Sequence, residues 1–204
     1  MSLDVSLWCD AVICDYNYIF DPRAKLKRFF AEGRGEYLFL VDEAHNLVDR
    51  GREMFSAALY KEDFLEGKRV VEKHSRKLTR ALERCNAWLL DLKRESTELK
   101  VHEDVGIFPV YLMNLCGLIE EVLEKLTDTE AGERMLELYF SARSFLEVCD
   151  RLDDSYVIYS ELCVDGRFML KLYCVDISGN LQECINKGRS TVFFSATLLP
   201  VQYY

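Results

Sequence analysis

Two short apolar runs, far apart in the chain, each stop abruptly at a polar signature. Tyr37-Leu38-Phe39-Leu40-Val41 stops at Asp42-Glu43, and Thr191-Val192-Phe193-Phe194 stops at Ser195-Ala196-Thr197-Leu198. A continuous apolar run of four or five residues suits a buried strand of a parallel sheet, covered by helices on both faces. About 150 residues separate the two signatures, and their pattern is mostly helical. This order predicts an α/β fold in which a large helical insertion interrupts one sheet.

The rest of the pattern fills in that outline. Ala11-Val12-Ile13-Cys14, set between Asp10 and Asp15, predicts a further buried strand. Asp21-Pro22 marks a turn that opens a helix over 23–32, ended by Gly33 and Gly35. From 62 to 95, Val71, His74, Leu78, Leu82, Cys85, Leu89 and Leu92 recur at helical spacing. Arg69, Lys73, Arg76, Arg80 and Arg84 recur likewise and fall on the opposite face. Helices are expected over 108–126 and 130–150. The period then changes to two, and Tyr156–Leu162 and Phe168–Val175 flank Asp165-Gly166 as a hairpin. Asn180–Lys187 reads as a short helix, with Ser178 or Asn180 as its cap and Gly188 as its stop.

Charge limits the partners. The formal net charge is −9, which excludes a globally basic nucleic-acid binder. The acidity is concentrated: residues 96–155 carry five Lys/Arg against fourteen Asp/Glu, whereas 61–95 carry ten against seven. A local basic face can still meet phosphates. The eight cysteines form no C-x-x-C pair and several lie in apolar runs. They read as reduced thiols of a cytosolic protein, without zinc or iron–sulfur spacing. No apolar run approaches the ~20 residues of a membrane span, and no secretory signal is visible.

Ligand sites of open α/β sheets gather at the carboxyl ends of strands, where Asp42 and Glu43 sit. A nucleotide hydrolase needs two carboxylates there, one for Mg²⁺ and one for the attacking water. His45 could hydrogen-bond to a neighbouring strand end, and the hydroxyls after the second strand could contact it. Taken alone, an Asp-Glu pair is more often the start of a loop, and Ser-Ala-Thr is usually a turn. Asp42, Glu43 and His45 as ligands of a metal-dependent hydrolase form a further reading. It is short of ligands, since His74 and His102 are the only other histidines. The basic stripe reads as a solvated face or as a phosphate-tracking surface. Trp88 and His74 read as core or boundary residues.

Asp42-Glu43-Ala44-His45 with Ser195-Ala196-Thr197-Leu198 resembles motifs II and III of superfamily 2 helicases. The stretch from Val12 to Pro22, followed by Val41 to Leu47, resembles the iron–sulfur XPD/DinG branch of DNA helicases. The resemblance implies a partial RecA-like motor domain with a mostly helical arch insertion. Residues 1–55 would begin that domain, 56–155 would form the arch, and 156–204 would return to the motor domain. Asp42 would hold Mg²⁺ through water, Glu43 would activate the hydrolytic water, and His45 would couple hydrolysis to movement. Ser195, Ala196 and Thr197 would belong to that coupling. The full-length parent would use ATP and Mg²⁺, carry a 4Fe–4S cluster outside this chain, and move on single-stranded DNA in the cytoplasm, at the nucleoid in a bacterium. A protein partner could bind the acidic arch face. The sequence departs from the family in having no G-x-x-x-x-G-K-[ST]; Gly67-Lys68 precedes Arg69 within a helical pattern. The cluster cysteines and a second motor domain are also missing. The expectation is an internal fragment, inactive alone. The alternative is a non-enzymatic helical interaction module in which Asp42-Glu43 is only a loop.

Overall fold

The computed structural model describes residues 2–30, 35–123 and 130–196. In chain order the elements are α1 (Ser2–Val5), α2 (Asn17–Phe20), α3 (Lys27–Phe30), β1 (Leu38–Val41), α4 (Leu47–Met54), β2 (Ala57–Tyr60), α5 (Lys61–Val71), α6 (Arg76–Glu95) and β3 (Lys100–His102). There follow α7 (Phe108–Leu123), α8 (Glu130–Cys149), β4 (Tyr156–Leu162), β5 (Phe168–Cys174), α9 (Ser178–Ile185) and β6 (Ser190–Phe193). The chain forms two units: Met1–Met54 with Ser178–Tyr204, and Phe55–Ile177. The class is mixed α/β, compatible with part of a RecA-like domain plus helices. Among the described residues no helix is long and apolar enough to cross a membrane.

In the first unit β1 and β6 pair in parallel, with Leu38 opposite Ser190 and Val41 opposite Phe193. The buried face of β1 carries Phe39 and Val41. An aromatic group of Phe29, Phe30, Tyr37 and Phe39 packs edge to face at its start. Gly188 lies against this group. A Cβ there would stand 2.6 Å from Cε2 of Phe39 and 3.0 Å from the Tyr37 carbonyl oxygen, so the turn into β6 requires glycine. The expected cover on both faces is not observed. Leu38 and Leu40 are 69% and 71% exposed, and Val192 and Phe193 are exposed on β6, because the described sheet of this unit has only two strands. Residues 11–14 do not form a strand: Val12, Ile13 and Cys14 are exposed, and no strand pairs with them among the described residues. The helix expected over 23–32 begins only at Lys27, after the turn that Asp21 holds by accepting from the Arg23 N–H. Gly33 lies outside the described residues.

The second unit is a four-stranded antiparallel sheet, order β2-β5-β4-β3, with α5, α6 and α8 packed on it and α7 packed on α6 and α8. Leu59, Ile158, Leu170 and Leu172 of the sheet join Phe64, Leu82, Phe108, Leu112 and Phe145 in one core. Trp88 stacks on Phe108 at 4.3 Å between ring centres. The hairpin between β4 and β5 forms as expected and turns through Gly166 at φ +85°. Its strands pair with β2 and β3, so its contacts group it with the helices, whereas the sequence pattern groups 156–175 with the segment that follows. Strands β2 and β3 escape sequence reading because four and three residues are too few to show a period.

The helix expected over 62–95 is two helices. α5 closes at Val71, whose carbonyl accepts from the N–H groups of His74 and Ser75. Ser75 then caps α6: it is extended (φ −152°, ψ 111°) and its Oγ accepts from the Leu78 N–H. His74 falls in this turn and is exposed, not part of the core. Gly67 is buried in α5, where an added Cβ would meet Met135 at 2.8 Å, so Gly67-Lys68 belongs to a helix contact and not to a phosphate loop. Replacing Ser75 with Ala is expected to cost about 1 kcal/mol, and Phe108→Ala about 3–5 kcal/mol. Urea denaturation followed by circular dichroism measures both. Equal effects would mean that Ser75 does more than cap α6.

Candidate functional site at the ends of two parallel strands

Pairing of β1 with β6 brings the two polar signatures side by side. The ladder continues past both strands: the Phe194 N–H donates to the Val41 carbonyl at 3.0 Å, and the Ala44 N–H donates to the Phe194 carbonyl at 3.2 Å. The backbone of Phe194 thus clamps the Asp42–Ala44 turn, a role no side-chain pattern announces. Ala44 is buried under the turn, while Asp42 and Glu43 are exposed.

Three contacts order the polar groups. Oδ1 of Asp42 accepts from the Glu43 N–H at 2.7 Å. Nδ1 of His45 lies 2.7 Å from Oγ of Ser195, across 150 residues of sequence. The same Nδ1 lies 3.2 Å from Oε2 of Glu43. A proton on Nδ1 can therefore be donated to the serine oxygen or to the carboxylate, which links the acidic turn to the end of β6. Glu43 has φ 53° and ψ 36°, the left-handed region, and is the one described non-glycine residue with positive φ. That geometry costs a residue with a Cβ roughly 1–2 kcal/mol, and such strain is concentrated at functional sites. Glutamate has no special tolerance for it, so the sequence carries no signal of it.

The expected site is thereby brought together in part. Asp42, Glu43, His45 and Ser195 are neighbours; Ala196 is exposed just beyond Ser195; Thr197 lies outside the described residues. The metal-hydrolase expectation is not supported. Among the described residues no group of three or more His, Cys, Asp or Glu is placed to hold a metal ion, because the imidazole is engaged with Ser195 and Glu43 instead. A Mg²⁺ that keeps most of its waters needs only one or two carboxylates and takes its remaining ligands from phosphate. Asp42 suits that lesser demand: it is exposed and spends one oxygen on the turn.

The basic residues do not form one stripe. Arg69 belongs to α5, Lys73 to the turn after it, and Arg76, Arg80 and Arg84 to α6. All five are exposed, but only the last three share a helix face at a spacing of four. Arg84 is drawn over the Tyr111 ring of α7 at 5.3 Å, a partner the stripe pattern does not suggest.

No curated protein matches the chain. Residues 3–64, less than half of the chain, match the DEAD_2 family model, a DEAD-like helicase domain found in XPD- and DinG-type helicases. The match spans Asp42, Glu43 and His45, so the acidic turn lies within the segment that is similar to that family.

Proposed function

We propose that residues 2–54 and 178–196 belong to a motor domain whose whole protein hydrolyses ATP and moves on single-stranded DNA. The observation that carries this reading is the 2.7 Å contact between His45 Nδ1 and Ser195 Oγ at the ends of adjacent parallel strands. A loop without function has no need to join two polar signatures 150 residues apart. The exposed apolar face of Leu38, Leu40 and Val192 adds support, since a parallel pair within a larger sheet has that face covered.

In this reading a Mg²⁺–nucleotide, when bound, would supply the phosphoryl group and the positive charge that offsets the developing negative charge. Asp42 would hold that metal. Glu43 accepts the proton of the attacking water, its carboxylate set by the left-handed turn. His45 answers to both Glu43 and Ser195, so a change at the carboxylate is felt at the end of β6. Ala196 and Thr197 continue that coupling segment. The phosphate-binding backbone and lysine are absent from the sequence, and so are the cysteines of an iron–sulfur cluster. Both come from other parts of the parent, and the 204 residues alone are inactive. The arch role of 56–155 stays with the same reading, with Arg76, Arg80 and Arg84 as its phosphate-facing cations.

In the parent protein Glu43→Gln is expected to lower DNA-stimulated ATP hydrolysis by about 10²–10⁴-fold while nucleotide binding persists. Hydrolysis at the wild-type rate would remove the proposed base. A double-mutant cycle with His45→Ala and Ser195→Ala is expected to give a coupling of about 0.5–1.5 kcal/mol in chemical denaturation. Additive effects would separate the two strand ends. Arg76→Ala with Arg80→Ala is expected to lower the salt slope of single-strand affinity in the parent by about 1.4; an unchanged slope would make these arginines a solvated face.

A further inference from the structure

The sheet of Phe55–Ile177 ends at β3, and no strand pairs beyond it among the described residues. An edge strand presents backbone N–H and C=O groups that can pair with an incoming chain. Lysine on such an edge usually discourages this, but the Lys100 ammonium is drawn to Glu95 at 2.7 Å. Leu99 and Val101 on the same edge are 61% and 60% exposed, a large apolar surface for so short a strand.

Beside this edge lies an open cavity of about 600 Å³. Its apolar lining includes Val105, Leu152 and Ile158, and its acids are Glu103, Asp104 and Asp153; among the described residues no Lys or Arg lines it. His102 on its wall is held by Ser160, with Nε2 2.8 Å from the serine oxygen. Two of the acids are built into turns. Asp104 Oδ1 accepts from the Gly106 N–H at 2.7 Å, where Gly106 has φ +51°. Asp153 Oδ1 accepts from the Ser155 N–H at 2.9 Å and from the Ser155 hydroxyl. These bonds hold the Asp153 carboxyl below its usual range, so it is ionised at neutral pH. In each aspartate these turn bonds use Oδ1 and not Oδ2.

The chemistry selects the occupant. Nucleic acid is disfavoured by three carboxylates without a lining cation. A bare metal ion is disfavoured because the acids are not grouped closely enough to hold one. A guanidinium or ammonium on an aliphatic stem satisfies both the acids and the apolar wall. We propose that an extended peptide adds to β3 as a further strand and places an arginine or lysine side chain in this cavity, among Glu103, Asp104 and Asp153. The site belongs to the unit Phe55–Ile177 and does not depend on the motor reading.

The test uses the 204-residue chain and a fluorescein-labelled octapeptide of alternating valine and threonine with one central arginine, read by fluorescence anisotropy. Saturable binding is expected. The triple variant E103Q/D104N/D153N keeps both turn acceptors, because asparagine retains Oδ1, and is expected to bind about tenfold more weakly or worse. Citrulline in place of the arginine is expected to weaken binding equally, and this arm does not depend on any variant folding. Methylation of alternate peptide nitrogens is expected to abolish binding, because a strand so treated cannot pair with β3. No saturable binding, or an affinity left unchanged by the triple variant and by the citrulline substitution, would overturn the proposal. Undiminished binding of the methylated peptide, or equal competition by arginine amide alone, would also overturn it by leaving only a small-cation pocket.

Discussion

The hydrogen-bond ladder between β1 and β6 is the interaction on which the candidate site depends. It aligns Val41 with Phe193 and carries on into Phe194, whose N–H and C=O grip the residues on either side of Asp42 and Glu43. Side chains that meet only because two strands run parallel inherit the precision of that backbone pairing. The His45–Ser195 contact is such a case, since neither residue could find the other through local sequence. Gly188 enters the same dependence from below, because any larger residue there would strike Phe39 and displace β6 from its register.

Strain and exposure in this unit have a common origin. The turn at Glu43 is left-handed although glutamate gains nothing from that geometry, and it is held there by the ladder on both sides. The apolar face opposite the core leaves Leu38 and Leu40 in solvent. Both features are costly in isolation.

The unit Phe55–Ile177 solves its packing by ordinary means. Each of its helices has one buried stripe, and the sheet offers one buried face to them. Its outer face carries Tyr60, Tyr159 and Tyr173, with the Arg167 guanidinium 4.0 Å above the Tyr60 ring. Polar and aromatic residues suit an antiparallel sheet that is wet on one side. The acidic composition of 96–155 is thus spread over turns and helix surfaces, and at Glu103, Asp104 and Asp153 it borders a cavity.

Local chemistry was enough to announce much of this protein. Long helical periods located α6, α7 and α8, since a buried stripe repeats many times over twenty residues. Asp165-Gly166 announced its hairpin because few dipeptides accept positive φ. The two polar signatures marked Asp42, Glu43, His45 and Ser195 as residues to watch. Other features were decided only by tertiary structure. Ala11–Cys14 is apolar enough for a strand, yet a strand exists only where a partner supplies hydrogen bonds, and none of the described strands does so. The basic stripe looked continuous because a helical period ignores a four-residue turn that happens to keep phase; the cap at Ser75 breaks it in space. The left-handed turn at Glu43 and the clamp by Phe194 were beyond any local pattern, and the contact of His45 with a hydroxyl after the second strand, expected from the two signatures, exists only once those strands pair. They arise from backbone pairing between segments 150 residues apart, and pairing partners are chosen by the whole fold.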